Sequence, residues 1–104
     1  MSEPRLAHNV FFKLKDAGPE RVQELVEACK KYLNVQPGIV FFSAGPICRE
    51  LARDVNDRDW DVGLHLVFVD KAHHDAYQDD PTHNQFVAEM KGNWAKVRVF
   101  DSCV

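Results

Sequence analysis

Residues 6–15, "LAHNVFFKLK", decide the fold, because they alternate without a slip. His8, Val10, Phe12 and Leu14 fall on one side; Asn9, Phe11, Lys13 and Lys15 fall on the other. Side chains of a strand point to opposite faces with a period of two, so this pattern, rich in aromatic and β-branched residues, predicts a strand. Working outward, "DAGPE" (16–20) supplies a turn, with Pro19 where a first helical turn tolerates it. From Glu20 to Leu33 the residues Val22, Leu25, Val26, Cys29 and Leu33 recur at helical spacing. Glu20 near the start and Lys30 and Lys31 near the end suit the helix dipole. "NVQPG" (34–38) ends that helix.

The run "IVFFSAG" (39–45) is continuously apolar and predicts a strand buried on both faces. Residues 46–59 form a polar connection, mobile or partly helical, in which Asp54, Asp57 and Asp59 mix with Arg53 and Arg58 as a solvated loop. Alternation resumes in "WDVGLHLVFVD" (60–70), with Val62, Leu64, Leu66 and Phe68 on one face and His65 and Val67 on the other. Asp70 caps a short helix from Lys71 to about Asp79, and Pro81 interrupts it. A second helix runs to about Lys91, and "AKVRVFD" (95–101) is the last strand.

The order β-α-β-β-α-β is that of the α+β, ferredoxin-like fold, a four-stranded antiparallel sheet with both helical layers on one face. Phe11, Val67, Phe100 and one of Phe41 or Phe42 are then left on the far face. A second copy of the chain is the expected cover, so a homodimer is expected, with His65 near its interface.

At 104 residues the chain is expected to be one domain, 1–104, with a modest core. Hydrophobic residues make up 45% and charged residues 28%, as in soluble globular domains, and the net charge of −3 is interspersed. No basic stripe is available to neutralise phosphates, which excludes nucleic acid as the main partner. No apolar run has the length of a signal peptide core or a membrane span, so no membrane association and a cytoplasmic location are expected. Cys29, Cys48 and Cys103 are widely spaced, without a C-x-x-C pair, and are read as reduced thiols.

The helix break in "YQDDPTHNQF" (77–86) carries the functional reading. After Pro81, His83, Phe86, Val87, Met90 and Trp94 share a stripe at i, i+3, i+4, i+7 and i+11, so His83 begins a buried face. Before the break, Tyr77 shares a face with Ala76 and His73. The second helical layer is read as antiparallel to the first strand, which brings its later part to His8. Tyr77, His83 and His8 are thus expected to converge in an apolar layer, with Val10, Phe12, Val62, Leu64, Phe86 and Val87 as the ligand-binding wall. A mostly apolar pocket with a few convergent polar groups suits a small molecule. The alternative is structural, because a buried His or Tyr often serves only to satisfy a backbone carbonyl or a water.

His73, His74 and Asp75 with Asp79, Asp80 and His83 raise the question of a metal. Adjacent helical residues point about 100° apart, Pro81 interrupts the register, and no pair has a zinc-motif spacing, so no metal is expected. No phosphate-binding glycine loop or serine-nucleophile motif is present.

On "HNVFFKLK", "LNVQPGIVFFSAG", "WDVGLHLVF", "AYQDDPTHNQF" and "WAKVRVFDS", the chain resembles the Dabb family, the stress-responsive dimeric α/β-barrel domains. The resemblance implies a homodimer in which two ferredoxin-like sheets pack as a barrel. The family includes olivetolic acid cyclase, which performs an intramolecular aldol condensation without a cofactor. Its assigned tyrosine and histidine match Tyr77 and His83, and a pocket histidine matches His8. A further pocket histidine falls at Val62, and the residue before the proline is Asp80 instead of histidine. Two function classes follow. One is a stress-associated domain binding a small apolar or carbonyl-containing ligand. The other is a cofactor-independent cyclase, isomerase or lyase, with His83 as general base and acid, Tyr77 as oxyanion donor and His8 as orienting group.

Overall fold

The computed structural model describes residues 3–104. Its elements are β1 (Leu6–Leu14), α1 (Pro19–Leu33), β2 (Ile39–Pro46), β3 (Val62–Phe68), α2 (Lys71–Asp79), α3 (Pro81–Met90), a 3-10 turn (Lys91–Asn93) and β4 (Trp94–Cys103). The strands form one antiparallel sheet in the order β2-β3-β1-β4. This is the βαββαβ arrangement that the alternation predicts. No helix among the described residues is long and apolar enough to cross a membrane.

The alternation of β1 becomes a sidedness. Leu6, His8, Val10, Phe12 and Leu14 are buried beneath the helices, and Asn9 and Phe11 are half-buried on the outer face. On β3, Val62, Leu64, Leu66 and Phe68 are buried almost completely. Leu25, Val26, Cys29 and Leu33 of α1 close over them. Removing this much apolar surface from water is the main favourable term of folding. Burial also pushes the Cys29 thiol up to about 12, which keeps it an inert packing group. All three cysteines are free.

Four expectations need correction. The strand at 39–46 is not buried on both faces: as the edge strand it leaves Val40 and Phe41 exposed, and its register slips between Ile39 and Phe41. Phe42 packs against the core, so Phe41 is the outer-face residue of the pair. The 47–61 connection contains no helix, and it is pinned instead of loose. Asp59 bridges Lys13 and Lys96, Asp57 pairs with Arg98 at 2.5 Å, and Arg49 reaches Asp61 at 2.8 Å. The third correction is direction. A helical layer following β3 must return antiparallel to it, and β3 is antiparallel to β1, so the layer runs along β1. Its earlier part, α2, therefore lies over His8, while Phe86 of α3 lies over Phe12. The fourth correction, which histidine shares the face of Tyr77, concerns the site.

The break itself is built by one side chain. Asp80 ends α2, its N–H donating to the Tyr77 carbonyl, and its carboxylate caps α3 by accepting from Thr82 N–H at 2.8 Å. Gln36, at the exit of α1, donates to the same oxygen at 3.3 Å. Pro81 occupies the first helical position, where its missing N–H costs nothing.

Candidate functional site

Asp70 starts the local chain of causes by accepting from His73 N–H at 2.9 Å, which fixes the phase of α2. That phase turns His74, and not His73, toward the sheet. The His73 ring stays with Asp70, 2.7 Å away, and lies over Gly38, the backbone's one positive-φ position among the described residues, at 82°. A methyl group at Gly38 would sit 2.5 Å from that ring, so glycine is required there twice over. The His74 ring meets His8 edge-on, with centroids 4.8 Å apart, and Phe68 at 5.7 Å. Only the i, i+3 member, His74, faces the sheet with Tyr77, and not His73 as the spacing suggests.

Tyr77 is 2% exposed and packs on Phe68 at 5.1 Å, His83 at 4.7 Å and His8 at 5.9 Å. The three polar groups expected to converge do so. Between them and the sheet lies a cavity of about 160 Å³. It is lined by His8, Val10, Phe12, Leu64, Tyr77, His83, Phe86 and Val87, as the sequence leads one to expect, and also by Gln78, Trp94, Val97 and Val99. Val62 does not reach it. It pairs with the bulky Phe12 on the side of β1 away from β4, whereas Leu64 pairs with the smaller Val10 and remains visible past it. The β4 valines carry a signal that was there to be read. Val97 and Val99 pair with Phe12 and Val10 in register, so their alternation places them on the inner face. A larger hollow of about 330 Å³, between Leu14, Arg21, Glu24 and Glu89, has more polar walls and contains none of the three groups.

Electrostatics assign protons to these groups. Burial lowers the pKa of His83 below its ordinary value near 6.5, with a contact to Asn84 opposing it. The ring is neutral near pH 7 and able to accept a proton. Burial raises the Tyr77 phenol, which stays protonated and able to donate. The His8 pKa is also lowered, chiefly by burial, against the opposing influence of Asp101. His8 Nδ1 lies 2.5 Å from Asp101 Oδ1. An ionised carboxylate only accepts, so Nδ1 carries the proton and Nε2 of the neutral ring keeps the lone pair. Three buried side-chain nitrogens have no partner among the described residues: His74 Nε2, His83 Nδ1 and Trp94 Nε1. Two of these belong to the cavity wall. Such groups are uncommon in folded proteins.

Of the metal-ligating candidates near the break, His73 and His74 do point apart. The cluster that does form joins residues distant in sequence. One ligating atom from each of His8, His74 and Asp101 lies within 4.8 Å of the others. On the outer face, His65 meets Asn9 at 2.8 Å, and Phe11 gathers Trp60, His65 and Phe100 within 4.8–5.8 Å.

Known proteins share this architecture. A dimeric ferredoxin-like protein from Thermobifida fusca superposes with a TM-score of 0.80 at 17% identity, covering 98% of this chain and 92% of that one. A Dabb family protein from Mesorhizobium loti gives 0.79 at 24% identity, covering 98% of both chains. The hydroxynitrile lyase from Passiflora edulis gives 0.77 at 17% identity, covering 98% and 94%. Likeness at these identities is likeness of fold. No curated protein matches the sequence. The family model of the stress responsive A/B barrel domain, Dabb, matches residues 6–104, nearly the whole chain, and the protein belongs to that family.

Proposed function

We propose that the chain works as a homodimer whose subunits each bind a small, partly apolar, carbonyl-bearing molecule in the cavity between β1, β4, α2 and α3. The observation that carries this reading is the composition of the cavity wall. Aliphatic and aromatic side chains surround three polar groups, and His83 and Tyr77 touch one another at 4.7 Å between centroids. A carbonyl oxygen suits a protonated phenol, and the apolar remainder suits Val10, Leu64, Val87 and the β4 valines. The dimer is supported by the exposed aromatic residues of the outer face and by dimeric proteins of the same fold. No nucleic-acid or membrane role enters this reading, and a cytoplasmic setting fits three free cysteines.

A second reading is favoured by the protonation states. A neutral imidazole beside a protonated phenol is the pairing needed to take a proton from carbon next to a carbonyl while stabilising the oxyanion that forms. In that reading His83 is general base and then acid, Tyr77 donates to the oxyanion, and His8, held by Asp101, orients the substrate. No cofactor is called for. A hydroxynitrile lyase has the same fold, which supports enzymatic chemistry by analogy alone.

The test is a screen of small aldehydes, ketones and β-dicarbonyl compounds by ligand-observed NMR, each hit then followed for conversion. Hits should lose binding in both His83→Ala and Tyr77→Phe. Binding without conversion supports the first reading, and conversion abolished by His83→Ala supports the second. Hits that bind both variants as well as the parent protein would place the ligand elsewhere and end both readings.

A further inference from the structure

We propose that His8, His74 and Asp101 form a binding site for a divalent transition-metal ion of the zinc, cobalt or nickel type. Three elements bring these residues together: β1, α2 and β4. One ligating atom from each lies within 4.8 Å of the other two. Ligand atoms around a tetrahedral zinc ion, with bonds near 2.0–2.2 Å, sit roughly 3.3 Å apart. Asp101, whose side chain is 41% exposed, is the member free to close the gap. His8 ligates through Nδ1, its proton moving to Nε2 as the present bond to Asp101 is given up to the ion.

His74 supplies the decisive detail. Its Nδ1 lies 3.0 Å from Asp75 Oδ1, and Lys71 Nζ holds the other oxygen of Asp75 at 2.6 Å. With Nδ1–H donating to that carboxylate, Nε2 is the nitrogen left to take a ligand. That Nε2 is buried and has no partner among the described residues. A histidine whose far nitrogen is held by a carboxylate, with its near nitrogen bare, has the outer-shell arrangement that orients metal-ligating imidazoles. Phe68 packs edge-on against the His74 ring and Tyr77 in turn packs on Phe68, so the flank of the site away from Asp101 is apolar. Two imidazoles and one carboxylate suit borderline metals better than calcium or magnesium, which prefer oxygen. The exposed flank of Asp101 gives an entry path and leaves a coordination position for water or a ligand. Of the histidines near the helix break, only His74 is involved; His73 and His83 are not.

This site shares His8 with the cavity but is tested without any cavity ligand. Protein stripped with chelator is titrated with cobalt(II) chloride and followed by visible absorption, with zinc(II) chloride as competitor and melting temperature as a second readout. One cobalt per chain, with the intense bands of a low-coordinate ion displaced by zinc, and a melting point raised by several degrees are expected. His74→Ala and Asp101→Asn should each weaken binding by about tenfold or more, and Asp75→Asn by about 10–100-fold through the lost outer-shell contact. His73→Ala and His83→Ala should bind as the parent protein does. Circular dichroism without metal establishes that each variant is folded; should His74→Ala fail to fold, Asp101→Asn on the exposed flank decides. Absence of saturable binding, or equal loss in His73→Ala, overturns the site and leaves the cavity reading untouched.

Discussion

The two faces of this one sheet have opposite characters. The inner face is a closed core in which Phe68, Leu64, Leu66 and Val62 are at most 1% exposed. The outer face carries fewer large apolar groups, but Phe41 and Phe100 are 54% and 53% exposed, and Phe11 is partly covered by Trp60 of the 47–61 connection. Covering one face is enough to hold a ferredoxin-like chain together. An apolar surface left on the other face is the mark of an association site, since monomeric domains seldom expose large contiguous apolar patches. Stability is therefore expected to reside inside, and assembly outside.

Several substitutions can break or sharpen that contrast. The largest effect is expected from Phe68→Ala, which leaves a void beneath α1 and α2 and should cost about 3–5 kcal/mol in urea unfolding. A cost below that of an exposed phenylalanine would show that the inner face is not the core. Charging the outer face with Phe41→Asp and Phe100→Asp together should leave the subunit folded but shift light scattering from dimer to monomer. Standard stable interfaces bury about 1,200–2,000 Å² in total, so two buried charges should suffice to disrupt one. A parent protein that is a well-folded monomer at micromolar concentration would remove the dimer altogether.

Smaller effects belong to the cavity. His83→Ala should cost about 1–3 kcal/mol, since it removes a half-buried ring from the wall, and Tyr77→Phe should cost less because only the hydroxyl is lost. Equal costs would mean that the Tyr77 hydroxyl contributes as much to stability as the whole His83 ring. The pH dependence follows from His8, His83 and, on the outer face, His65, each held by burial below its ordinary value near 6.5. The unfolded chain then binds more protons than the folded one between the folded and unfolded pKa values. Stability should be full above pH 6.5 and decline as pH falls below it, levelling off under the folded pKa values. Urea midpoints at pH 7.5 and 5.5 test this, and a midpoint that rises on acidification contradicts it. The smallest effect is expected from Asp59→Asn, which loosens the connection at an exposed surface. It should leave the urea midpoint nearly unchanged while hastening proteolysis between residues 46 and 61.

What could be read in advance divides along similar lines. The alternation in residues 6–15 and 60–70 fixed every inner-face residue of β1 and β3, because a period of two allows only one answer. Tyr77 and His83 were legible as a pair because the proline between them forces separate helical segments. His8 joins them under α2, the earlier part of a layer whose direction is opposite to the one expected. Three further things were not legible. The choice of His74 over His73 depends on the helix phase set by Asp70, a single hydrogen bond that spacing cannot weigh. The clamp on the 47–61 connection joins Asp57 and Asp59 to residues some 37–46 positions away, and no local pattern announces it. Val62 lay on the right face but behind Phe12, a matter of side-chain bulk instead of period.

Asp80 has a consequence for how quickly a ligand could come and go. With its backbone tied to Tyr77, its carboxylate capping α3 and Gln36 fastened to the same oxygen, the bend between α2 and α3 is a braced corner and not a hinge. Opening it would expose several backbone groups at once. Traffic into the cavity should instead pass along the β4 side, where Val97 and Val99 are 41% and 50% exposed. Exchange rates should therefore depend on the size of those two side chains and hardly at all on helix motion. Enlarging them would slow arrival and departure, and because both valines also line the cavity it would change the affinity as well.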